Sequence, residues 1–329
     1  MPPPARMLER LAVLAAAATG AATLLAASAR DFWLGDLAVH FRPQYAALGV
    51  LAALLLAARR RWGWALAATL IVLLNAALAA PVLLARATPT RMAPPQEQVR
   101  ARALALSVAS INVLYSNPHY ERVIAWLRVV RPDAVVLVEV TPAWRQALEA
   151  LRDVYPQQYY TGPGTPRGHG HGTLLLSRWP LTQPMTLPLG PHADPAVSAV
   201  LEMPARRVHL LGVHPSWPIG PGVSAERNRE LAWLASLSRA TATPLIVAGD
   251  LNITPFSPHF AQLLRASGLE DAAHGAGWQP TWPTFLPLAG IAIDHVLYSR
   301  DLAVVRCARG PRIGSDHWPL LVDLTGAAE

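Results

Sequence analysis

The sequence predicts an α/β protein, a two-sheet α/β sandwich that is preceded by three membrane-spanning helices. Two observations lead to this prediction. Apolar residues are concentrated in the first ninety positions, and from about Arg102 short apolar runs alternate with amphipathic segments. We therefore divide the 329 residues into a membrane anchor at 1–86, a polar, proline-bearing linker at 87–101 and a soluble domain at 102–329.

The anchor contains two apolar runs, Leu8–Ala29 and Trp64–Ala85, and each is long enough to cross about 30 Å of hydrocarbon. Between them, Gln44–Ala58 is a shorter run. It reaches the length of a span if Phe41 and the apolar stem of Arg59 extend it. We expect helices at about 8–29, 41–60 and 63–85.

Arginines indicate how many of these helices cross the membrane. Short arginine-rich loops stay in the cytoplasm, and Arg59-Arg60-Arg61 forms such a loop between the second and third runs. Arg6 and Arg10 place the N-terminus on the same side. Both conditions hold only with three spans, because two spans would put the triplet outside. Three spans place everything after Ala85 on the extracytoplasmic side.

The charge distribution argues against nucleic acid as the default partner. The chain has 28 basic residues, all arginine, and a net charge of +7. Residues 1–101 hold ten arginines and four acidic residues, a net charge of +6, whereas the remainder holds 18 and 17. A nearly neutral soluble domain provides little of the sequence-independent attraction on which DNA binding depends.

The soluble domain alternates strand and helix patterns, which favours a mixed α/β architecture. The predicted strands are Leu104–Ile111, Ala134–Val138, Thr173–Leu176, Ala196–Leu201, Val208–Val213, Leu245–Ala248, Ile291–Tyr298, Leu302–Arg306 and Leu320–Leu324. The predicted helices are Tyr120–Val130, Ala143–Leu151, Glu226–Leu237 and Pro258–Ala266.

Polar side chains follow four of the predicted strands. These side chains are Asn112 after SVASI, Glu139 after AVVLV, His214 after HLLGV and Asp250 after LIVAG. Two Asp-His pairs, at 294–295 and 316–317, stand in the last forty residues. Strand ends bring distant residues to one edge of a sheet, where ligands bind. Carboxylates, a carboxamide and imidazoles at such an edge can hold a hard metal ion and cleave a phosphate ester.

With these residues in place, the chain resembles the endonuclease/exonuclease/phosphatase superfamily of metal-dependent phosphoesterases. The resemblance covers about residues 104–325 and lies in an ordered set of short motifs. The motifs are Ile111-Asn112, Val138-Glu139, Gly172–Pro180, Val213-His214, Gly249–Asn252, Ile293–His295 and Ser315–Pro319. The apolar N-terminus together with NVLYSN resembles the membrane-anchored bacterial branch, which implies a multi-pass protein of the bacterial cytoplasmic membrane with an extracytoplasmic domain.

The resemblance implies a four-layer sandwich and a Mg²⁺ or Mn²⁺ site. Its main ligand would be Glu139, helped by Asn112 and Asp316. A site with few carboxylates suits Mg²⁺, which keeps several waters.

The resemblance also implies roles for the other site residues. Asp250 would orient or deprotonate the attacking water, and Asn252 would hold a phosphate oxygen. His317 would contact the phosphate, with its tautomer set by Asp294. His214 would be a second phosphate contact or the proton donor to the leaving group. Either Asp250 or His317 could be the general base.

Structural alternatives stand beside these roles. Asn112 could be a turn residue, Asp294 a strand-end ion-pair partner and His214 a strand-end histidine whose hydrogen bonds are satisfied. His295 should alternate away from Asp294 and lie outside the chemistry. His169 and His171 stand in a glycine-rich loop, which we interpret as a mobile loop in preference to a metal-binding or cleft-lining one.

The sequence leaves three functions open. The leading hypothesis is a membrane-anchored hydrolase of phosphate esters, with a lipid-linked phosphate as a substrate that the bilayer would bring near. The second is a tethered nuclease acting on DNA or RNA, which the weak charge of the domain disfavours. The third is an inactive domain that binds a phosphorylated ligand, which the full set of motifs disfavours.

Overall fold

The computed structural model describes residues 4–85, 105–163, 170–204, 206–241 and 244–326. Contacts divide the chain into two compact units, one formed by 1–85 with Thr254–Ala261, the other by 86–253 with 262–329. The predicted linker at 87–101 lies outside the described residues.

Residues 4–85 form four helices. They are α1 at Pro4–Ala26, α2 at Trp33–Val39, α3 at Arg42–Ala58 and α4 at Trp62–Leu83. α1 and α4 bury small residues against α3, among them Ala16, Ala52 and Ala68. Asn75 on α4 donates to Thr23 Oγ1 at 2.8 Å, so the polar groups of this apolar unit pair with one another.

The structure supports two of the three expected spans directly. Two helices, Arg6–Ala26 and Trp62–Leu83, are long and apolar enough to cross a membrane. The middle region is instead a bent pair, because α2 and α3 meet at 67°. α3 has 17 residues, or roughly 25 Å at 1.5 Å per residue, which is short of a bilayer core. The middle region counts as a third span only if the pair acts as one.

The second unit is built on two six-stranded mixed sheets. The first sheet contains β1 at Leu106–Asn112, β2 at Ala134–Val140, β3 at Gln157–Tyr160, β4 at Gly172–Ser177, β11 at Leu302–Arg309 and β12 at Leu320–Gly326, in the order β11-β12-β1-β2-β4-β3. The second contains β5 at Leu181–Leu187, β6 at Asp194–Met203, β7 at Arg206–His214, β8 at Leu245–Asp250, β9 at Glu270–Asp271 and β10 at Asp294–Tyr298, in the order β5-β6-β7-β8-β10-β9.

The core lies between the sheets. Alternate residues of the strands meet there, such as Val108 and Val136 from the first sheet and Val197 and Ile246 from the second. This period of two is why one face of each strand reads as apolar. The pairs β1–β2 and β7–β8 are parallel, and the other pairs are antiparallel.

Helices cover the outer face of the first sheet. α5 at Tyr120–Val130 and α6 at Pro142–Leu148 bury Val123, Leu127 and Trp144 against β1, β2 and β4. Two further helices are α7 at Pro221–Ala240 and α8 at Pro258–Ser267. Each strand and helix predicted for the second unit overlaps an observed one among the described residues, and the edge strands β3, β5 and β9 are additional.

Candidate active site

Glu139 lies near the end of β2, where the pairing of this strand with β4 is irregular. The pairing of β2 with β4 shifts between Leu137 and Val140, and Glu139 has a left-handed backbone with φ of 60°. Such a bulge turns a side chain away from the direction that regular pleating would give it. Conformations that non-glycine residues rarely adopt concentrate at functional sites. Here Glu139 Oε1 accepts from Asn112 Nδ2 at 2.8 Å and Oε2 from the backbone N–H of Tyr115 at 3.0 Å.

The end of β8 brings Asp250 close to β7. Gly249 has φ of 150°, and a Cβ at this position would overlap the carbonyl oxygen of Val213. The close approach of the Gly249 backbone to the carbonyl oxygen of Val213 therefore requires glycine at this position. The next turn is also fixed: Asp250 Oδ1 accepts from Asn252 N at 2.9 Å, and buried Arg227 on α7 donates to Asn252 O at 2.8 Å.

Three polar side chains converge on the other oxygen of Asp250. Asn112 Nδ2 donates to Asp250 Oδ2 at 3.2 Å. His317 Nε2 lies 3.6 Å from the same oxygen, and His214 Nε2 lies 3.8 Å from it. These distances leave Asp250 as the centre of the site, with an imidazole on either side.

Each of these histidines is held by a carboxylate at its other nitrogen. His317 Nδ1 lies 2.8 Å from Asp294 Oδ2, and His214 Nδ1 lies 2.9 Å from Asp194 Oδ2. Burial opposes the charge of His317, but the carboxylates of Asp294 and Asp250 raise its pKa to about 10. Burial likewise opposes the charge of His214, but its hydrogen bond to Asp194 and that carboxylate's charge raise its pKa to about 9. Both side chains are therefore positively charged imidazolium ions at neutral pH.

The two central aspartates respond oppositely to their surroundings. Burial and the nearby charge of Asp294 raise the pKa of Asp250 to about 6, against the attraction of His317 and His214. Burial would also raise the pKa of Asp194, but hydrogen bonds from His171 and His214 lower it to about 2. Asp250 thus titrates near neutrality, as a general base should, whereas Asp194 remains a fixed anion.

Asp316 lies next to His317, with its Oδ1 4.0 Å from His317 Nε2. Its Oδ2 accepts from Trp282 Nε1 at 2.9 Å. Oδ1 is buried and has no hydrogen-bond partner among the described residues. An unpaired buried carboxylate oxygen is costly, and a bound cation would satisfy it. The oxygens of Glu139, Asp316 and Asn112 are the type of ligand that Mg²⁺ and Mn²⁺ prefer, so the chemistry of these donors fits the implied ion.

All eight predicted site residues lie in this unit, and most are linked directly. Asn112 joins Glu139 to Asp250 through its amide N–H groups, while its Oδ1 accepts from Leu114 N at 3.0 Å. Asn252 lies at the turn after Asp250 and donates to Pro215 O at 3.0 Å. Of the remaining predicted residues, His317 pairs with Asp294 and His214 pairs with Asp194. Asp316 lies beside His317.

Several residues around the site were not assigned from the sequence. Asp194, which holds His214, begins β6 opposite that histidine in the β6–β7 pairing. Trp282 holds Asp316, and Arg227 supports the turn at Asn252. His295 turns away from the site, as expected, and its Nε2 lies 2.9 Å from Ile253 O. His169 lies outside the described residues.

Comparisons with known proteins place this arrangement in a family context. A model of the Endonuclease/Exonuclease/phosphatase family matches residues 109–317. That range runs from β1 to His317 and contains all eight predicted site residues. A comparison of the sequence with curated proteins found no match.

Solved structures share the fold of the second unit. The endonuclease/exonuclease/phosphatase from Beutenbergia cavernae DSM 12333 matches with a TM-score of 0.55 at 22% identity, over 68% of this chain and 72% of that chain. The one from Bacteroides vulgatus matches with 0.55 at 19% identity, over 68% and 99%. D. rerio TDP2, in a complex with a single strand DNA product, matches with 0.56 at 19% identity, over 67% and 99%.

Proposed function

This chain belongs to the endonuclease/exonuclease/phosphatase family, and from that premise we propose that it is a membrane-anchored, Mg²⁺- or Mn²⁺-dependent hydrolase of phosphate esters. One observation carries the proposal. Asp250, with a pKa of about 6, lies between the Nε2 atoms of His214 and His317, each of which is held by its own carboxylate. A base flanked by two cationic donors supplies the proton acceptor and the positive charge that speed hydrolysis of an anionic ester.

In this mechanism Asp250 orients the attacking water and accepts its proton. His317, protonated and fixed by Asp294, donates to a phosphate oxygen and offsets the charge that grows there. His214, protonated and fixed by Asp194, donates its Nε2 proton to the leaving oxygen. Asn252 holds a further phosphate oxygen. The pKa values of about 6 for Asp250 and about 9 for His214 favour these opposite roles at neutral pH.

Glu139 and Asp316, with Asn112, would hold the divalent ion. When bound, it would polarise a phosphoryl oxygen and neutralise negative charge during the in-line displacement. The chain's own contribution is to keep these ligands in place: Asn112 and the N–H of Tyr115 hold Glu139, and Trp282 holds Asp316.

We also propose that the N-terminal unit crosses the membrane three times, with the α2–α3 pair acting as one bent span. The basis is the arginine triplet at 59–61, which Glu9 contacts near the start of α1 and which belongs in the cytoplasm. The second unit is then extracytoplasmic. A reporter enzyme that works only outside the cytoplasm should be active when it is fused after Arg91. Activity of a reporter that works only in the cytoplasm, fused at the same point, would refute this topology.

A lipid-linked phosphate is the substrate class that we favour. Exposed aromatic side chains follow three site residues at a spacing of three: Tyr115 after Asn112, Trp217 after His214 and Phe285 after Trp282. Their exposed fractions are 53%, 67% and 72%. Large apolar side chains exposed on the segments that leave a site commonly contact an apolar ligand or a membrane surface.

The experiment compares substrates on one preparation. The full chain, purified in detergent with Mg²⁺, is assayed against a generic phosphodiester, a lipid phosphate, a lipid pyrophosphate and plasmid DNA. We expect hydrolysis of a lipid ester, lost in Asp250→Asn and in His317→Ala but not in Asp301→Asn, which changes an exposed carboxylate. Near-full rates in both site variants would refute the assignment of the site.

The other two functions correspond to different outcomes of the same assay. Cleavage of plasmid DNA without turnover of the lipids would establish the tethered nuclease. Metal binding with no turnover of any substrate would favour a phospholigand-binding domain.

A further inference from the structure

A second cluster of metal-ligating side chains adjoins the site and is only partly used by the proposed chemistry. It consists of His171, Asp194 and His214, whose ligand atoms all lie within 4.8 Å of one another. His171 Nδ1 lies 2.8 Å from Asp194 Oδ1, and His214 Nδ1 lies 2.9 Å from Asp194 Oδ2. The side chains of His171, Asp194 and His214 are only 5%, 3% and 12% exposed.

The three residues come from both sheets. His171 directly precedes β4 of the first sheet, whereas Asp194 begins β6 and His214 ends β7 of the second. The ring of Tyr115 stacks on His171 with centroids 5.6 Å apart and an angle of 19°. The cluster is therefore a buried, covered junction between the sheets, and hydrolysis as proposed assigns no role to His171.

We propose that His171, Asp194 and His214 bind a divalent transition-metal ion, with Zn²⁺ as the ion of choice. Two imidazoles and one carboxylate are the ligands of Zn²⁺ sites, with bonds of roughly 2.0–2.2 Å. Mg²⁺ favours oxygen ligands and would not select this set. Asp194 Oδ2 lies 3.0 Å from His171 Nδ1 and 2.9 Å from His214 Nδ1, and all three ligand atoms lie within 4.8 Å of one another, so shifts of the side chains alone would bring them to bonding distance of one ion.

Such an ion would fix the proton on His214. Coordination through Nδ1 leaves hydrogen on Nε2, the atom that faces Asp250 Oδ2 at 3.8 Å. The metal-bound His214 would then be a neutral imidazole that offers its Nε2–H as a hydrogen bond to the leaving oxygen, in place of the imidazolium that donates a proton when no ion is bound. This consequence rests on the proposed hydrolase, whereas binding of the ion does not. The ion would also link β4 to β6 and β7 and so stabilise the sandwich.

Binding is tested on the full chain, without a histidine tag, after chelator treatment. Excess Mg²⁺ is added to fill the oxygen site, and Zn²⁺ is titrated by calorimetry. We expect one tight Zn²⁺ per chain. His171→Ala should weaken binding by about 100-fold or more, because a direct ligand matters at least as much as the residues that support one. His274→Ala removes an exposed histidine and should bind as the unchanged chain does.

Two further variants separate loss of the site from other causes. Asp194→Asn keeps the shape of the side chain, and it should also lose tight Zn²⁺ binding. A cooperative unfolding transition of this variant without metal shows that it is folded. Zn²⁺ should raise the Tm of the unchanged chain and of Glu139→Gln, but not that of His171→Ala. Undiminished Zn²⁺ binding in His171→Ala, or no tight binding by the unchanged chain, would overturn the proposal whether or not the protein hydrolyses phosphate esters.

Discussion

His214 and His317 present their Nε2 atoms to the same carboxylate oxygen of Asp250, at 3.8 Å and 3.6 Å. Each histidine is fixed from behind by an aspartate at the start of a strand, Asp194 in β6 and Asp294 in β10. The site is therefore built as two Asp–His pairs that converge on one base. This arrangement gives each carboxylate a separate and testable contribution.

The first prediction concerns Asp294→Asn. Without the carboxylate, the pKa of His317 should fall, because that charge is the main cause of its increase. We expect kcat to fall on the order of 10²–10⁴-fold with a smaller change in KM. Steady-state kinetics together with an NMR titration of the imidazole checks both effects. An unchanged His317 pKa would contradict the pairing, and Asp301→Asn serves as the control.

A second prediction tests the support of the metal ligand. Trp282→Phe keeps an aromatic ring but removes the N–H that holds Asp316 Oδ2 at 2.9 Å. The Mg²⁺ concentration for half-maximal activity should rise by about 10-fold or more, since residues that orient a ligand tune metal affinity. Activity at saturating Mg²⁺ should be largely restored. Trp62→Phe, an exposed change on α4, should leave the Mg²⁺ dependence unaltered.

The strand-end residues Asp250 and Glu139 could be predicted from the sequence, because each directly follows an apolar run. Asp194 could not, since its role depends on its position opposite His214 in the β6–β7 pairing. Register between strands is a tertiary property that local pattern does not contain. The edge strands β3 and β5 were missed for a related reason: they lie at the ends of the two sheets and lack fully buried faces.

The third prediction concerns the backbone at Gly249. Gly249→Ala places a Cβ against the carbonyl oxygen of Val213 at a φ of 150°. We expect a loss of roughly 1–3 kcal/mol in the free energy of unfolding and a displaced Asp250, with reduced activity. Gly222→Ala is the matched control, because no atom lies within 4 Å of its added Cβ and it stands in the first turn of α7. Equal stabilities of the two variants would contradict the close approach of β7 and β8.

A fourth prediction follows from the raised pKa values of the two histidines. A group whose folded pKa lies above its unfolded value stabilises the fold fully below the unfolded pKa, and that stability is lost as pH rises through the folded value. His214 and His317, at about 9 and about 10, should therefore make the protein less stable as pH rises from about 6.5 to about 10. Asp250, with a pKa of about 6, is half ionised at that pH and mostly ionised by about pH 7, so it adds little to the slope above pH 7. Thermal unfolding across this range should show the decline, and Asp294→Asn should show a shallower one.

The fifth prediction concerns Cys307, the only cysteine of the chain. It is buried in the core between the sheets, and burial, with a smaller contribution from Asp271, raises the pKa of its thiol to about 12. The thiolate is the form that reacts with alkylating reagents. At pH 8 a thiol with this pKa is ionised at about one part in 10⁴, so the folded protein should resist iodoacetamide for hours. Mass spectrometry should find a single modification only after unfolding in guanidinium chloride, and rapid modification of the folded chain would place Cys307 outside this core.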